Sequence, residues 1–151
     1  MSNTIPGIGK SVSKLVMGVD NQVTPDHAER MFDDFLERGG NAFDTAHIYA
    51  AGVCETVFGQ WMAARGVRDG IVLISKGGHT PYCTPEFLSS QFAQSLERLG
   101  TDHADVYMLH RDNLEVPVGE FVDVLNQHRR RGADRGCSAV PNWTLERIHG
   151  G

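Results

Sequence analysis

At 151 residues, with 40% apolar and 22% charged side chains, the sequence has the make-up of one ordinary globular domain, which excludes a collagen-like repeat, a coiled coil and an intrinsically disordered chain. Fourteen basic against nineteen acidic side chains leave a net charge of −5, so no general positive field draws phosphate backbones or anionic lipid, and neither nucleic acid nor a membrane surface is an expected partner. No apolar run reaches the ~20 residues a bilayer crossing needs, and residues 1–11 lack the apolar stretch of a signal peptide, which predicts a cytoplasmic protein.

In chain order, Lys14 to Val19 is a short apolar run that suits a buried strand. Thr24-Pro25 then supplies an N-cap with proline at the first helical position, and Ala28, Met31, Phe32, Phe35 and Leu36 recur at helical spacing until Gly39-Gly40 stops the helix. Asn41 to Asp44 reads as a second strand, followed by a helix over about Val53 to Ala64, with Trp61 and Met62 as core residues. Ile71 to Ser75 is continuously apolar and β-branched, the pattern of a strand covered on both faces. Thr84-Pro85 repeats the capped start, and Leu88, Phe92, Leu96 and Leu99 form the next apolar stripe before Gly100. Asp105 to Leu109 is a fourth strand, and Val118, Phe121, Val122 and Leu125 mark a fourth helix after Pro117, ending in Arg129-Arg130-Arg131, where cations complement the helix dipole. Strands recurring about every thirty residues with helices between them predict right-handed βα crossovers and a parallel sheet.

Parallel βα units build either an open doubly wound sheet or a closed eight-stranded barrel. No G-x-G-x-x-G follows the first strand, where the turn reads Gly18-Val19-Asp20-Asn21, so the dinucleotide fingerprint of the open sheet is missing. In either architecture, working residues gather at the carboxyl ends of strands. Asp44, Lys76 and His110 each end one, and Tyr49 follows Asp44 by five residues. Singly, each has an ordinary role as a cap, a solvated cation or a structural hydrogen-bonder; together they converge on one rim.

The segments Phe43-Asp44-Thr45-Ala46-His47-Ile48-Tyr49, Ile74-Ser75-Lys76 and Met108-Leu109-His110-Arg111-Asp112, with Asn126-Gln127-His128 and Asn142-Trp143 in register, resemble the aldo-keto reductase superfamily. The resemblance implies the (β/α)8 barrel of that family, reduction of an aldehyde or ketone, NADPH or NADH as hydride donor, and a catalytic set of Asp44, Tyr49, Lys76 and His110. It also assigns Asp44 and Asn142 to the cofactor. The chemistry is coherent on its own terms. A phenol with an ordinary pKa of ~10 arrives protonated at neutral pH and can give its proton to a carbonyl oxygen. An ammonium nearby favours the phenolate left behind, a carboxylate keeps that ammonium charged and aimed, and an imidazole hydrogen-bonds the carbonyl. No metal is called for. Lys76 as a Schiff-base former is an alternative chemistry on the same fold.

Other residues receive plainer expectations. Cys54, Cys83 and Cys137 are too scattered for a zinc or redox motif and read as reduced thiols, with Cys83 accessible in a loop near the mouth. His27, His79, His103, His128 and His149 read as surface residues, and His47 as a residue that lines the substrate mouth. A full barrel takes roughly 250 residues. The sequence therefore predicts a truncated α/β fold of about four or five βα units, one domain over residues 1–151, with an atypical segment at 132–151 where Pro141 stands in place of the serine the family shows. A catalytically incompetent, truncated half-barrel acting as a structural or self-associating unit, with a homo-oligomer closing the half-barrel, is the alternative function.

Overall fold

The computed structural model describes residues 2–132 and 138–139. An antiparallel hairpin, β1 (Ser2–Thr4) and β2 (Ser11–Ser13), precedes a five-stranded parallel sheet. The sheet runs in sequence order through β3 (Val16–Gly18), β4 (Ala42–Asp44), β5 (Val72–Gly77), β6 (Val106–Leu109) and β7 (Ser138–Ala139). Helices α1 (Pro25–Glu37), α2 (Val53–Arg65), α3 (Pro85–Leu99) and α4 (Val118–Gly132) fill the four crossovers. All four helices and four strands stand where the apolar periods put them; the fifth strand is only two residues long. Apart from Gly132 and this strand, the atypical segment 132–151 lies outside the described residues, as do Cys137, Asn142 and His149.

Side chains alternate across the sheet, and the alternation decides what each strand offers to each side. Phe43, Leu73, Tyr107 and Leu109 join Phe32, Phe58, Trp61, Leu88, Phe92 and Phe121 from the helices in the larger core. Its centre is aromatic: Phe32 meets Phe43 edge-on at 5.6 Å and Trp61 at 5.0 Å, while Phe58 stacks on Trp61 at 5.5 Å. The Trp61 indole nitrogen donates to Asp33 at 2.9 Å, so the polar edge of this core residue is satisfied across α1 and α2. The other set, Ala42, Val72 and Val106 with Ile74 and Met108, faces the opposite side and packs against Ile8 and Val12 of the hairpin.

That hairpin has no counterpart in the sequence reading. Lys10, between its strands, donates to the Ile71 carbonyl at 2.8 Å and pairs with Asp105 at 2.8 Å. The Asn41 amide holds the Ser11 carbonyl, and the Asn41 oxygen accepts from Ser13 N–H. These contacts fall at the starts of β4, β5 and β6, so the hairpin covers the amino-terminal end of the sheet and leaves the carboxyl end open.

Helices α2 and α3 approach closely at Gly59, where a Cβ would lie 2.7 Å from the backbone of Arg98 and Leu99. Several expectations for single side chains change: Thr24 stands at the start of α1 without a side-chain capping bond, and the His103 side chain is largely covered. Cys83 is buried, with its thiol donating to the Arg111 carbonyl at 3.0 Å, because the loop carrying it folds under the segment after β6. His128 is half-buried on Phe92 and shares a 2.9 Å hydrogen bond with Ser89, and His79 turns inward to another histidine, as described below. Cys54 and Cys83 are free thiols.

Candidate active site

The two-residue alternation that buries Ala42, Val72 and Val106 on the inner side carries forward along each strand: Asp44 follows Ala42 by two, Lys76 follows Ile74 by two, and His110 follows Met108 by two. The parallel register sets Asp44 beside Ile74 and Lys76 beside Met108. Pairing continues past the strand ends, with His47 N–H on the Lys76 carbonyl at 2.9 Å and His110 N–H on the Gly77 carbonyl at 2.7 Å. Three ionisable side chains therefore emerge on one side at one end of the sheet.

Tyr49 reaches them from a tight turn, Tyr49–Gly52, that joins β4 to α2. The Lys76 ammonium bonds the Asp44 carboxylate and lies 5.2 Å from the centre of the Tyr49 ring. The Tyr49 ring meets the His110 imidazole edge-on at 5.6 Å, and the imidazole of His79 meets His110 from another side at 4.8 Å. Lys76 is nearly enclosed and Asp44 partly open, at 11% and 37% side-chain exposure, so the carboxylate meets the ammonium where little water can reach it.

His110 is held neutral. Burial pushes its imidazole down to about 4 from an ordinary 6.5, and the positive charge of Lys76 adds to the effect, followed by His79 and Arg111; Asp44 opposes them. A neutral imidazole carries one N–H to donate and one lone pair to accept.

Lys76, His79 and His110 border a small hollow lined also by His47, Ile48, Tyr82 and Gln91. The His47 ring shares a 2.9 Å hydrogen bond with Gln94, and Gln91 accepts from Gly78 N–H at 2.8 Å, so α3 furnishes the far wall. A roomier hollow of about 270 Å³ lies between the ends of α2 and α3, lined by Met62, Arg68, Leu99 and Thr101, and holds none of these groups. All four predicted side chains are thus brought together, and His47 lines the hollow that Lys76 and His110 border. His79 was missed, because a lone histidine two residues after a strand carries no periodic signal. Asn142 is outside the described residues.

The model of the Aldo/keto reductase family matches residues 13–150. Norsolorinic acid reductase A of Aspergillus parasiticus is 34% identical over 148 residues, covering 87% of this chain and 37% of that protein. The uncharacterized oxidoreductase YrpG of Bacillus subtilis is 30% identical over 158 residues, covering 91% of this chain and 48% of that protein. Among solved structures, aldo-keto reductase AKR11C1 from Bacillus halodurans in its holo form aligns with a TM-score of 0.77 and 25% identity, covering 93% of this chain and 50% of that one. The chain spans less than half the length of the curated relatives it matches, and its parallel βα units correspond to half of that neighbour's barrel. The chain belongs to the aldo/keto reductase family.

Proposed function

We propose that this chain carries the acid–base half of an NAD(P)H-dependent reductase that converts an aldehyde or ketone to an alcohol, with Tyr49 as proton donor. The observation that carries the reading is the position of Lys76, bonded to Asp44 and set over the Tyr49 ring beside a neutral His110.

Each side chain has a part in that reaction. The His110 N–H holds the carbonyl oxygen and fixes its direction. As charge grows on that oxygen, the Tyr49 hydroxyl gives up its proton to it, and the phenolate that forms is stabilised by the Lys76 ammonium. Asp44 keeps the ammonium in place and balances its charge in the resting protein. The hollow's walls on α3 limit water around the oxygen as its charge develops.

The donor set fits the nicotinamide end of such a cofactor: a neutral imidazole and a paired ammonium line one partly enclosed hollow at the open end of the sheet, and the Tyr49 ring is set against both. Asp44 would hold that end from this chain, together with Asn142. Bound NADPH or NADH supplies the hydride delivered to the carbonyl carbon. The test is a fluorescence titration of the chain with NADPH and with NADH, followed by carbonyl-dependent cofactor oxidation. The reading requires saturable binding and turnover that Tyr49→Phe removes; turnover that survives Tyr49→Phe overturns the role of Tyr49.

A second reading, a self-associating half-barrel completed by another copy, is favoured by the open edge of the sheet. Leu15 and Val16, at strand β3, are 74% and 48% exposed. Sedimentation across a concentration series separates the two: a monomer at all concentrations removes the second reading.

A further inference from the structure

The turn that delivers Tyr49 keeps two residues in backbone conformations that they rarely adopt. Ala50 and Ala51 have φ of +46° and +53°, left-handed conformations that residues with a Cβ keep only where their surroundings enforce them. Two residues outside the proposed acid–base set surround it. Arg98, near the end of α3, donates through Nη1 to the His47 carbonyl at 3.0 Å, just ahead of the turn, and to Glu55 Oε2 at 3.2 Å, just behind it. Its guanidinium also lies against Gly52, whose missing side chain leaves the room it occupies. Glu55, in the first turn of α2, is fully buried, and desolvation raises its carboxyl above the usual range although Ser95 and Arg98 pull the other way.

A buried carboxylate is a costly way to join two helices, and α2 and α3 also meet at Gly59 backbone to backbone, so the pair is not their sole contact. What the pair adds is a clamp on both ends of one turn. We infer that Arg98 and Glu55 are positioning residues, which hold the turn Tyr49–Gly52 and thereby set the Tyr49 ring against Lys76 and His110. The inference rests on Tyr49 being the proton donor for its meaning in catalysis, but the clamp itself is observable without turnover.

The experiment is nuclear magnetic resonance on the whole chain, comparing it with Arg98→Met and Arg98→Lys. Two readouts matter. The first is amide exchange at Tyr49 and Ala51, whose N–H groups are bonded to the carbonyls of Ala46 and Ile48. The second is the titration midpoint of His110, which is faced by Lys76, His79, Arg111 and Asp44 and covered by the Tyr49 ring. Arg98→Met is expected to speed exchange at the two turn amides by about tenfold or more while amides of β5 and α2 keep their rates. The same variant should move the His110 midpoint up from about 4 toward 6.5, as the covering ring is released. Arg98→Lys, which keeps the charge and a donor, should return both readouts toward the parent values. Unchanged readouts in Arg98→Met, or exchange that rises equally everywhere, would overturn the inference, because the pair would then be inert or merely stabilising. If Arg98→Met does not fold, Glu55→Gln replaces it: faster turn exchange supports the clamp and unchanged exchange overturns it. Where the chain turns over a carbonyl, Arg98→Met should lower kcat with little change in KM. If no turnover is found in the parent, the reductase reading fails while the two resonance readouts still decide the clamp.

Discussion

Lys76 has two neighbours at once: its ammonium bonds the Asp44 carboxylate and sits 5.2 Å from the centre of the Tyr49 ring. A methionine at Lys76 keeps the stem and removes the charge. Because Asp44 is 37% exposed, water can take over its free oxygens and the fold should persist. Steady-state carbonyl reduction by Lys76→Met is expected to fall by about 10²–10⁴-fold, the range of a lost acid–base contribution, with an unchanged circular dichroism spectrum. A fall accompanied by loss of the spectrum would make Lys76 structural instead.

His110 links acidity to stability. Its imidazole binds a proton near 6.5 when the chain is unfolded but only near 4 when folded, so between those values the unfolded state holds more protons. Its contribution to stability is complete above pH 6.5 and is lost as the pH falls toward 4. Urea unfolding across that window isolates the effect by difference: His110→Gln should flatten the pH dependence relative to the parent, and parallel curves would show that His110 is not the group responsible.

Asp105 is enclosed beneath the sheet, where it accepts from Leu73 N–H and Arg68 at 2.9 Å each and pairs with Lys10 at 2.8 Å. Burial alone would raise its carboxyl; the Leu73 N–H and the two cations outweigh it and hold the group below the usual range. Asp105→Asn leaves two cations short of their counter-charge and should cost about 2–3 kcal/mol in denaturant unfolding. Carbonyl turnover per folded molecule should be unaltered, since the site lies at the other end of the strands.

Gly59 tests the α2–α3 contact. A Cβ there would stand 2.7 Å from carbonyl and backbone atoms of Arg98 and Leu99, which cannot rotate away. Gly59→Ala gains helix propensity of about 1 kcal/mol and loses more to the collision, so a net destabilisation of about 1–2 kcal/mol is expected in thermal or denaturant melts. A stabilised variant would mean the two helices can part.

Much of this was legible in the residue order, for physical reasons that differ from place to place. Thr84-Pro85 marks a helix start chemically, and the Thr84 hydroxyl does accept from Phe87 N–H at 3.4 Å. The run from Ile71 to Ser75 has no polar face and so cannot sit at a surface, which fixed β5. Asp44, Lys76 and His110 were legible because each ends a strand, where side chains leave the sheet at its open end. The hairpin was not, since Ser2–Thr4 and Ser11–Ser13 are polar and short, and their pairing depends on the floor of the sheet rather than on local pattern. The burial of the Cys83 thiol and the meeting of His79 with His110 were equally hidden. Both follow from how separate loops fold over one another, which spacing along the chain does not encode.

The Lys10 bridge gives the molecule two ends with different vulnerabilities. By stapling the hairpin to Ile71 and Asp105, it gathers ion pairing and burial at the foot of the strands, while the proposed acid–base groups occupy their tips. Natural variation at the foot should therefore be felt as a shorter lifetime of the protein, and variation at the tips as slower or redirected turnover. A library sorted separately for persistence and for rate would divide along the length of β4, β5 and β6.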